Sequence, residues 1–300
     1  MSAPQTAKAS RLKNVLYATD FSRAADAAFP HAAEFSRRFA AKFYAVHVRT
    51  PENYLLGAPE SWAVANAEYE KQENGLRAVL RNDLPHIETE VLSFEGGVWP
   101  ALESVINEKQ IDLLVLGSRG RTGMGKILLG SVAEEIVRRA ACPVLTVGPH
   151  SPSEPPLEGR FKEILYATDF GEASIAAAPY VVSLSREHQA HLTLLHVIRK
   201  FRSDGPTRPD ELEADAVQHM QALIPEKGAL RCQPRYAVSE GDPAEAILKA
   251  AKNRKADLIV LGVRKTGGNP ERASHSPTAI VHKVIAHAAC PVLTVRSGIL

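Results

Sequence analysis

An internal repeat constrains the fold of this chain more than any other feature of its sequence. Four segments of the first half recur in the same order in the second half, at offsets of 145 to 149 residues. They are 16–21 and 165–170, 47–48 and 196–197, 112–117 and 257–262, and 141–147 and 289–295. The first pair (Leu-Tyr-Ala-Thr-Asp-Phe) and the last (Ala-Cys-Pro-Val-Leu-Thr-Val) are identical in both copies. A chain of 300 residues with this repeat is predicted to form two similar domains.

The boundary between the two copies is rich in proline and glycine. Residues 148–159 contain four prolines and two glycines, and proline is excluded from the interiors of helices and of central strands. We therefore predict a linker over 149–160, which joins a first domain over 1–148 to a second domain over 161–300.

Each half alternates short apolar runs with longer helical patterns. Strands are predicted near 13–19, 42–49, 88–95, 111–117 and 143–148, and again near 162–168, 191–198, 231–239, 256–262 and 291–296. Helices are predicted near 22–40, 60–82, 98–110 and 130–141, with four more in the second half. The run 113–116 is apolar on both faces, which is typical of a parallel strand between two helical layers. The pattern predicts an α/β protein of two tandem, doubly wound, Rossmann-like domains, each with a five-stranded parallel sheet.

Charge and hydropathy exclude several classes of function. The 36 Lys and Arg residues nearly balance the 34 Asp and Glu residues, so no basic field for nucleic acid or for an anionic membrane is expected. No run reaches the roughly 18 apolar residues of a membrane span, and the first residues lack the apolar segment of a signal peptide. We predict a cytoplasmic protein that binds neither nucleic acid nor membrane.

The cysteine spacing predicts no metal site and no disulfide framework. Cys142, Cys232 and Cys290 are widely separated. Cys142 and Cys290 are expected to be buried thiols, although pairing of the domains could bring them close to each other.

A ligand is expected where the winding of each sheet reverses, beyond the carboxyl ends of the strands. In the first half, Thr19 and Asp20 follow the first strand, and a glycine-rich loop over 117–125 follows the fourth. A P-loop would need a hydroxyl residue after Lys126, where this chain has Ile127, and would follow the first strand. A dinucleotide-binding G-x-G-x-x-G motif fails because its third glycine is missing.

The spacing G-x2-G-x9-G-S, which begins at Gly117, suits another kind of phosphate site. Its first two glycines would let the backbone approach an anion, and Gly130 with Ser131 opens a helix whose first amides are free. The helix dipole adds only about 0.3 to 1 kcal/mol at an exposed site. The amides, Ser131 and an arginine of the loop, Arg119 or Arg121, are therefore expected to supply most of the affinity.

At these residues the sequence resembles the ATP-binding branch of the universal stress protein family. That branch carries G-x2-G-x9-G-[ST], a Tyr-Ala-Thr-Asp-Phe strand end, a His-Val second strand and a Cys-Pro-Val-Leu final strand, and the resemblance extends through both halves. It implies that Asp20 meets the ribose or the adenine and that the glycine loop holds the phosphates of ATP, with Mg²⁺ bound through them. Ala18, where the family often has proline, would line the adenine pocket together with Val48 and Leu116. The site predicted on this basis comprises Ala18, Thr19, Asp20, Val48, Leu116, Gly117, Arg119, Gly120, Gly130, Ser131 and Val132.

The second copy keeps little of this motif. Alignment of the final strands places Thr278-Ala279 against Gly130-Ser131, and only the first glycine of the motif survives, as Gly262. Side chains at the other positions would occupy the space of the phosphates, so the second half is predicted to bind nucleotide weakly or not at all. The resemblance also implies that the two domains pair through their last strands, as in a homodimer, and that the chain forms a homo-oligomer.

Several functions stay open on the sequence alone. The chain could be a nucleotide-dependent regulatory protein, a slow ATPase or autophosphorylating protein of the adenine nucleotide alpha hydrolase-like superfamily, or a dimerisation scaffold without nucleotide. No catalytic residue is predicted, because no general base stands beside a positioned nucleophile.

Individual residues also have structural alternatives. Asp20 and Ser131 could be helix caps, and His47 and His196 could be core histidines. The loop 50–61 could cover the adenine as a lid or form an oligomer contact.

Overall fold

A computed structural model describes residues 12–50, 59–120, 129–156, 159–198, 209–224, 230, 232–264 and 277–297, with the backbone alone at 59–65, 209 and 277–278. The first half consists of β1 (Asn14–Ala18), α1 (Arg23–Phe39), β2 (Lys42–Arg49), α2 (Pro59–Asp83), β3 (Thr89–Glu95), α3 (Val98–Glu108), β4 (Leu113–Gly117), α4 (Ser131–Arg139) and β5 (Val144–Val147). The second consists of β6 (Glu163–Thr168), α5 (Glu172–His188), β7 (His191–Ile198), α6 (Pro209–Ala222), β8 (Arg235–Glu240), α7 (Pro243–Arg254), β9 (Leu258–Val263), α8 (Pro277–His287) and β10 (Val292–Arg296).

The predicted order of strands and helices is confirmed in both halves. The largest difference is the strand predicted near 231–239, which begins only at Arg235. Pro234 precedes it, and proline cannot donate to a strand ladder. Among the described helices, none combines the length and the apolar character needed to cross a bilayer.

The described strands form one sheet in the order β3-β2-β1-β4-β5-β10-β9-β6-β7-β8. Neighbouring strands within each half run parallel, whereas β5 and β10 run antiparallel, with Leu145 opposite Leu293. Thr294 Oγ1 adds a hydrogen bond of 3.2 Å to Val144 O. The predicted pairing of the two halves through their last strands is therefore confirmed.

Helices cover both faces of this sheet. One core packs α1, α2, α5 and α6 against one face, and the other packs α3, α4, α7 and α8 against the opposite face. In β1, Val15 and Tyr17 belong to the first core and Leu16 to the second, because successive side chains of a strand point to opposite faces. Both cores contain residues of both halves. Cys142 and Cys290 are buried, free thiols, as expected.

A neutral histidine lies where the two halves meet. The ring of His188, at the end of α5, lies 4.7 Å from that of Phe161 and 6.1 Å from that of Phe35. Its Nδ1 accepts a hydrogen bond of 3.3 Å from Phe161 N, which requires an unprotonated nitrogen. Burial, with smaller contributions from the charges of Arg38 and Arg160, lowers the pKa of His188 to about 3.

The proline-rich segment between the halves lies against α1. His31 Nε2 is 3.0 Å from Pro152 O, and Gly148 N donates to Ser151 Oγ at 3.2 Å. These bonds hold the start of the segment against the first half.

Candidate functional site

In the first half of the sheet the winding reverses between β1 and β4, and three apolar residues of the predicted site meet there. Ala18 pairs with Val46 on β2 and with Leu116 on β4. Val48 lies two residues beyond Val46 and so on the same face of the sheet. Ala18, Val48 and Leu116 all pack in the core that includes α3 and α4. They form an apolar floor at the carboxyl edge of the sheet.

A tight turn after β1 fixes Thr19 and Asp20. Thr19 N donates to Val46 O at 2.9 Å, and its Oγ1 accepts from Phe21 N at 3.0 Å. Asp20 Oδ1 accepts from Ser22 N at 3.0 Å. Phe21 has a φ of 58°, a conformation that costs a bulky residue on the order of 1–3 kcal/mol. The hydrogen bonds of Thr19 and Asp20 hold the turn in this conformation.

The cap of α1 is Ser22, whose Oγ accepts from Ala25 N at 3.3 Å. The alternative that Asp20 caps this helix is therefore wrong, because Asp20 lies two residues before the cap and binds the Ser22 amide instead.

His47 is a core histidine, whereas its counterpart His196 is half-buried. His47 is 6% exposed, and its Nδ1 lies 2.8 Å from Thr19 O. His196 Nδ1 lies 2.9 Å from Thr168 O at the equivalent place in the second half. The rings of Phe21 and Phe170 lie 4.6 Å and 4.4 Å from these imidazoles, so each histidine packs against the turn that follows the first strand of its half.

Gly117 is required by the packing of α1. A Cβ at Gly117 would lie 2.4 Å from Ala24 O and 2.9 Å from Ala25 N. Distances this short exclude a side chain unless the helix moves. Helix packing alone therefore accounts for a glycine at this position, and the expectation that Gly117 lets the backbone approach an anion stays a prediction. Gly262 has the same role against α5, where a Cβ would lie 2.3 Å from Ser174 N.

The other two glycines of the motif allow close contacts at this edge: Gly120 with Asp20, and Gly130 with the backbone that follows β4. A Cβ at Gly120 would lie 2.8 Å from Asp20 Oδ2, so Gly120 makes room for this carboxylate. A Cβ at Gly130 would lie 3.4 Å from Ser118 O and 3.5 Å from Arg119 Cα. Gly130 N also donates to Ser118 O at 2.9 Å. The start of α4 is thereby held directly against the backbone that follows β4.

The first turn of α4 presents hydrogen-bond donors at this edge. Its N-cap is Gly130, which has no side-chain cap bond, and the first amides of a helix have no partner within it. Ser131 is the first helical residue, so the alternative that Ser131 caps this helix is wrong. Val132 is 44% exposed. Beside this turn, Arg119 Nε is buried and has no hydrogen-bond partner among the described residues.

All eleven residues of the predicted site lie within the described residues. The rest of the glycine-rich loop, with Arg121, and most of the candidate lid at 50–61 lie outside them, as does the second-half loop 265–276. Within the described ranges, no group of three or more His, Cys, Asp or Glu residues is arranged to hold a metal ion.

The second half contains a cavity of about 470 Å³ at the carboxyl edge of its sheet. Ala167, Val197 and Leu261 line it and are the counterparts of the apolar floor of the first half. Ile247 of α7 and Ile280 of α8 line its other side. This cavity was not predicted from the sequence, although the second copy keeps the residue types of the apolar floor, which could have indicated it.

Asp169 of the second half occupies the position of the predicted ribose carboxylate and is firmly bonded. Its Oδ1 accepts from Gly171 N and from the Ser174 hydroxyl, each at 2.9 Å, and its Oδ2 pairs with Arg264 Nη2 at 2.7 Å. Partial burial opposes the charge most strongly, yet the bonds from Gly171, Ser174 and Arg264 together hold the pKa of Asp169 below its usual range. The first-half counterpart of Ser174 is Ala25, which has no hydroxyl.

The helix that should cradle phosphates also differs between the halves. At an offset of 148 residues, the last residue of α4, Arg139, corresponds to the last of α8, His287. The first residue of α4, Ser131, corresponds to Ala279, but α8 begins two residues earlier at Pro277. Two more residues lengthen a helix by about 3 Å, and proline has no N–H to donate. The second half thus lacks a glycine-capped helix start at this place.

Sequence and structure comparisons agree with this architecture. A sequence model of the universal stress protein family matches residues 11–148 and 160–296. A universal stress protein of Methanocaldococcus jannaschii is 36% identical over 140 residues, which are 45% of this chain and 81% of the relative. One of Thermus aquaticus is 36% identical over 141 residues, which are 45% of this chain and 99% of the relative. A universal stress protein from Archaeoglobus fulgidus shares the fold, with a TM-score of 0.70 at 19% identity over 96% of this chain and 97% of that one. Because the family model matches both halves, the chain belongs to the universal stress protein family as a tandem two-domain member.

Proposed function

We propose that this chain is an ATP-binding regulatory protein, in which the first half holds ATP and its occupancy alters the interactions of the chain. One observation carries the proposal. The Gly130-capped start of α4 lies beside the buried Arg119 Nε, where the winding of the first half of the sheet reverses. This Nε has no hydrogen-bond partner among the described residues. Buried donors are nearly always paired in proteins, so an anion at this place would satisfy groups that the described chain leaves open.

The phosphates would lie between the loop after β4 and the first turn of α4. The amides of this turn and the Ser131 hydroxyl would donate to phosphate oxygens, and the Arg119 guanidinium would add a charge-assisted hydrogen bond. Mg²⁺ would be held through the phosphates, since the described residues provide no acidic cluster for it.

The adenosine part would lie over the apolar floor formed by Ala18, Val48 and Leu116. Small-molecule sites combine apolar walls with a few fixed polar atoms. The fixed atoms here belong to Thr19 and Asp20, which the turn after β1 holds in place. Asp20 would accept hydrogen bonds from the ribose hydroxyls.

The proposal includes the division of labour between the domains. Residues 1–148 would form the nucleotide-binding domain, 149–160 the linker, and 161–300 a domain that does not hold ATP. A cytoplasmic location and a homo-oligomer belong to the same proposal, without a role for nucleic acid or membrane.

Calorimetric titration of the full chain with Mg-ATP tests the proposal. Gly130→Glu places a carboxylate beside the backbone of residues 118–120, and we expect it to weaken ATP binding by about 100-fold or more. The matched control is Thr278→Glu, at the equivalent position of the second half, which should leave ATP binding unchanged. Equal effects of the two substitutions, in variants with unchanged circular dichroism, would contradict the proposal.

A dimerisation scaffold is the second candidate function, and the antiparallel pairing of β5 with β10 favours it. A scaffold needs no ligand. Failure of the unaltered chain to take up ATP at millimolar concentration would select it.

A further inference from the structure

The cavity of the second half has the same floor as the first-half site but different surroundings. Ala167, Val197 and Leu261 repeat the residue types of the first floor, and Ile247 and Ile280 close the cavity from the helical side. Covering apolar surface of this kind contributes roughly 25 cal/mol per Å². The volume of about 470 Å³ lies within the range of roughly 300–1,000 Å³ that small-molecule sites occupy.

The polar groups of this cavity already bind one another. Thr168 Oγ1 accepts from Phe170 N at 3.0 Å and lies 3.1 Å from Ser174 Oγ. Ser174 and Arg264 both bind Asp169. The polar atoms that a ligand would contact therefore have most of their hydrogen bonds already made. Burial of the ligand's apolar surface has to supply most of the binding free energy.

The described basic side chain that lines the cavity, Arg264, is already paired with a carboxylate, and so is a lysine of α8 beside the start of α7. Arg264 Nη2 lies 2.7 Å from Asp169 Oδ2. Lys283 Nζ of α8 lies 3.4 Å from Asp242 Oδ1 and 3.1 Å from Glu245 Oε1 at the start of α7. A polyphosphate would have to displace these carboxylates or lie beside them, and like charges repel each other.

The helix start adds a second obstacle to phosphate. Helix α8 begins two residues earlier than α4, and its first residue, Pro277, cannot donate a hydrogen bond. The anion cradle of the first half is thus replaced by additional helix, whereas the apolar floor is retained.

We propose that the second half binds an uncharged ring compound of nucleoside size and discriminates against nucleotide phosphates. The identity of the ring rests on the proposed function, because the matching floor of the first half is assigned to adenine there. The two halves would then respond to different small molecules, the first to ATP and the second to a nucleoside.

Methyl resonances of isoleucine locate such binding in the full chain. Ile247 and Ile280 line the cavity, and their first-half counterparts are Leu102 and Val132. Labelling of isoleucine δ1-methyl groups therefore reports the second-half cavity without signals from the equivalent positions of the first half. Titration with adenosine should shift both resonances saturably, and ATP should require a concentration at least about tenfold higher.

A matched pair of substitutions sharpens the titration. Ile280→Trp fills the cavity, so the adenosine-induced shift of Ile247 should disappear, whereas Val132→Trp at the counterpart position should leave it unchanged. If Ile280→Trp does not fold, the titration of the unaltered chain still decides the question.

Two results would overturn the inference. One is the absence of any shift of Ile247 and Ile280 at millimolar adenosine. The other is a shift by ATP at the same or a lower concentration than by adenosine. Repeating the titration in the Gly130→Glu variant separates the two proposals, because calorimetry with ATP tests the first half and the isoleucine methyl groups test the second.

Discussion

The two halves share the residues that shape the turn after the first strand and differ in those that surround it. Gly117 and Gly262 each lie against a helix backbone, where a Cβ would be 2.4 Å and 2.3 Å from the nearest atom. Phe21 and Phe170 adopt φ values of 58° and 57°. Residues that perform the same structural task in both halves are explained by the fold alone. Their repetition is no evidence for a ligand.

The differences cluster around the carboxylate and the last helix of each half. Asp169 binds Ser174 and Arg264, whereas the counterpart of Ser174 in the first half is Ala25. The last helix of the first half starts after a glycine cap, and that of the second half starts at Pro277. The positions that differ thus include those expected to contact phosphate, whereas the carboxylate expected to contact ribose is an aspartate in both halves. Comparison of the two halves therefore separates residues that a ligand requires from residues that the fold requires, which the motif alone does not do.

The largest expected effect concerns the shared glycines. Gly117→Ala and Gly262→Ala should each lower the free energy of unfolding by about 3 kcal/mol, because each new Cβ meets helix backbone. Gly75→Ala is the control: it lies in α2 with no atom within 4 Å of the new Cβ, and should stabilise by about 0.5–1 kcal/mol. Chemical denaturation measures all three. A harmless Gly262→Ala beside a damaging Gly117→Ala would show that the glycines do not share a structural role.

The next effect concerns the histidine that is buried where the two halves meet. The pKa of His188 is about 3 in the folded chain and close to 6.5 in an unfolded one. The unfolded state therefore binds the extra proton between these values, and stability should fall by about 1.4 kcal/mol per unit as the pH drops through this window. His188→Asn, whose amide oxygen can accept from Phe161 N as the ring nitrogen does, should show a shallower dependence. If the free energy of unfolding depends on pH as steeply in the variant as in the unaltered chain, His188 is not the group responsible.

A smaller effect on ATP affinity should distinguish Arg119, which follows β4, from its counterpart Arg264, which follows β9. Arg119→Gln should weaken ATP binding by roughly 10- to 100-fold, since a hydrogen bond from a charged group contributes about 1.5–3 kcal/mol. Arg264→Gln should leave ATP affinity unchanged, because this arginine pairs with Asp169 outside the ATP site. Calorimetry on both variants provides the comparison. Equal losses would mean that both halves bind the phosphates.

The smallest effect concerns the first residue of the helix. Ser131→Ala should weaken ATP binding about fivefold, the loss expected for one neutral hydrogen bond of about 1 kcal/mol. The reciprocal change, Ala279→Ser, should add no ATP binding, since the second half also lacks the glycine cap and starts its helix at Pro277. A gain of ATP binding in Ala279→Ser would show that the hydroxyl alone limits the second half.

The sequence predicts the fold well because the repeat and the alternating patterns are local signals. The pairing of β5 with β10 was also predicted, through the family resemblance. The reason for Gly117 was not, because the atoms that a Cβ would meet belong to a helix brought there by tertiary packing. The Asp20 cap was wrong because α1 starts at Arg23, two residues later than a cap at Asp20 requires. The second-half cavity was missed because it depends on how α7 and α8 lie over the floor.

The most direct test of the central claim, that only the first half holds ATP, is the nucleotide content of the purified chain. Freshly purified protein is denatured, and the released adenine nucleotide is identified by mass and counted per chain. We expect one ATP or ADP per chain in the unaltered protein and in Thr278→Glu, and none in Gly130→Glu. Two nucleotides per chain, or none together with no uptake of added ATP, would contradict the claim.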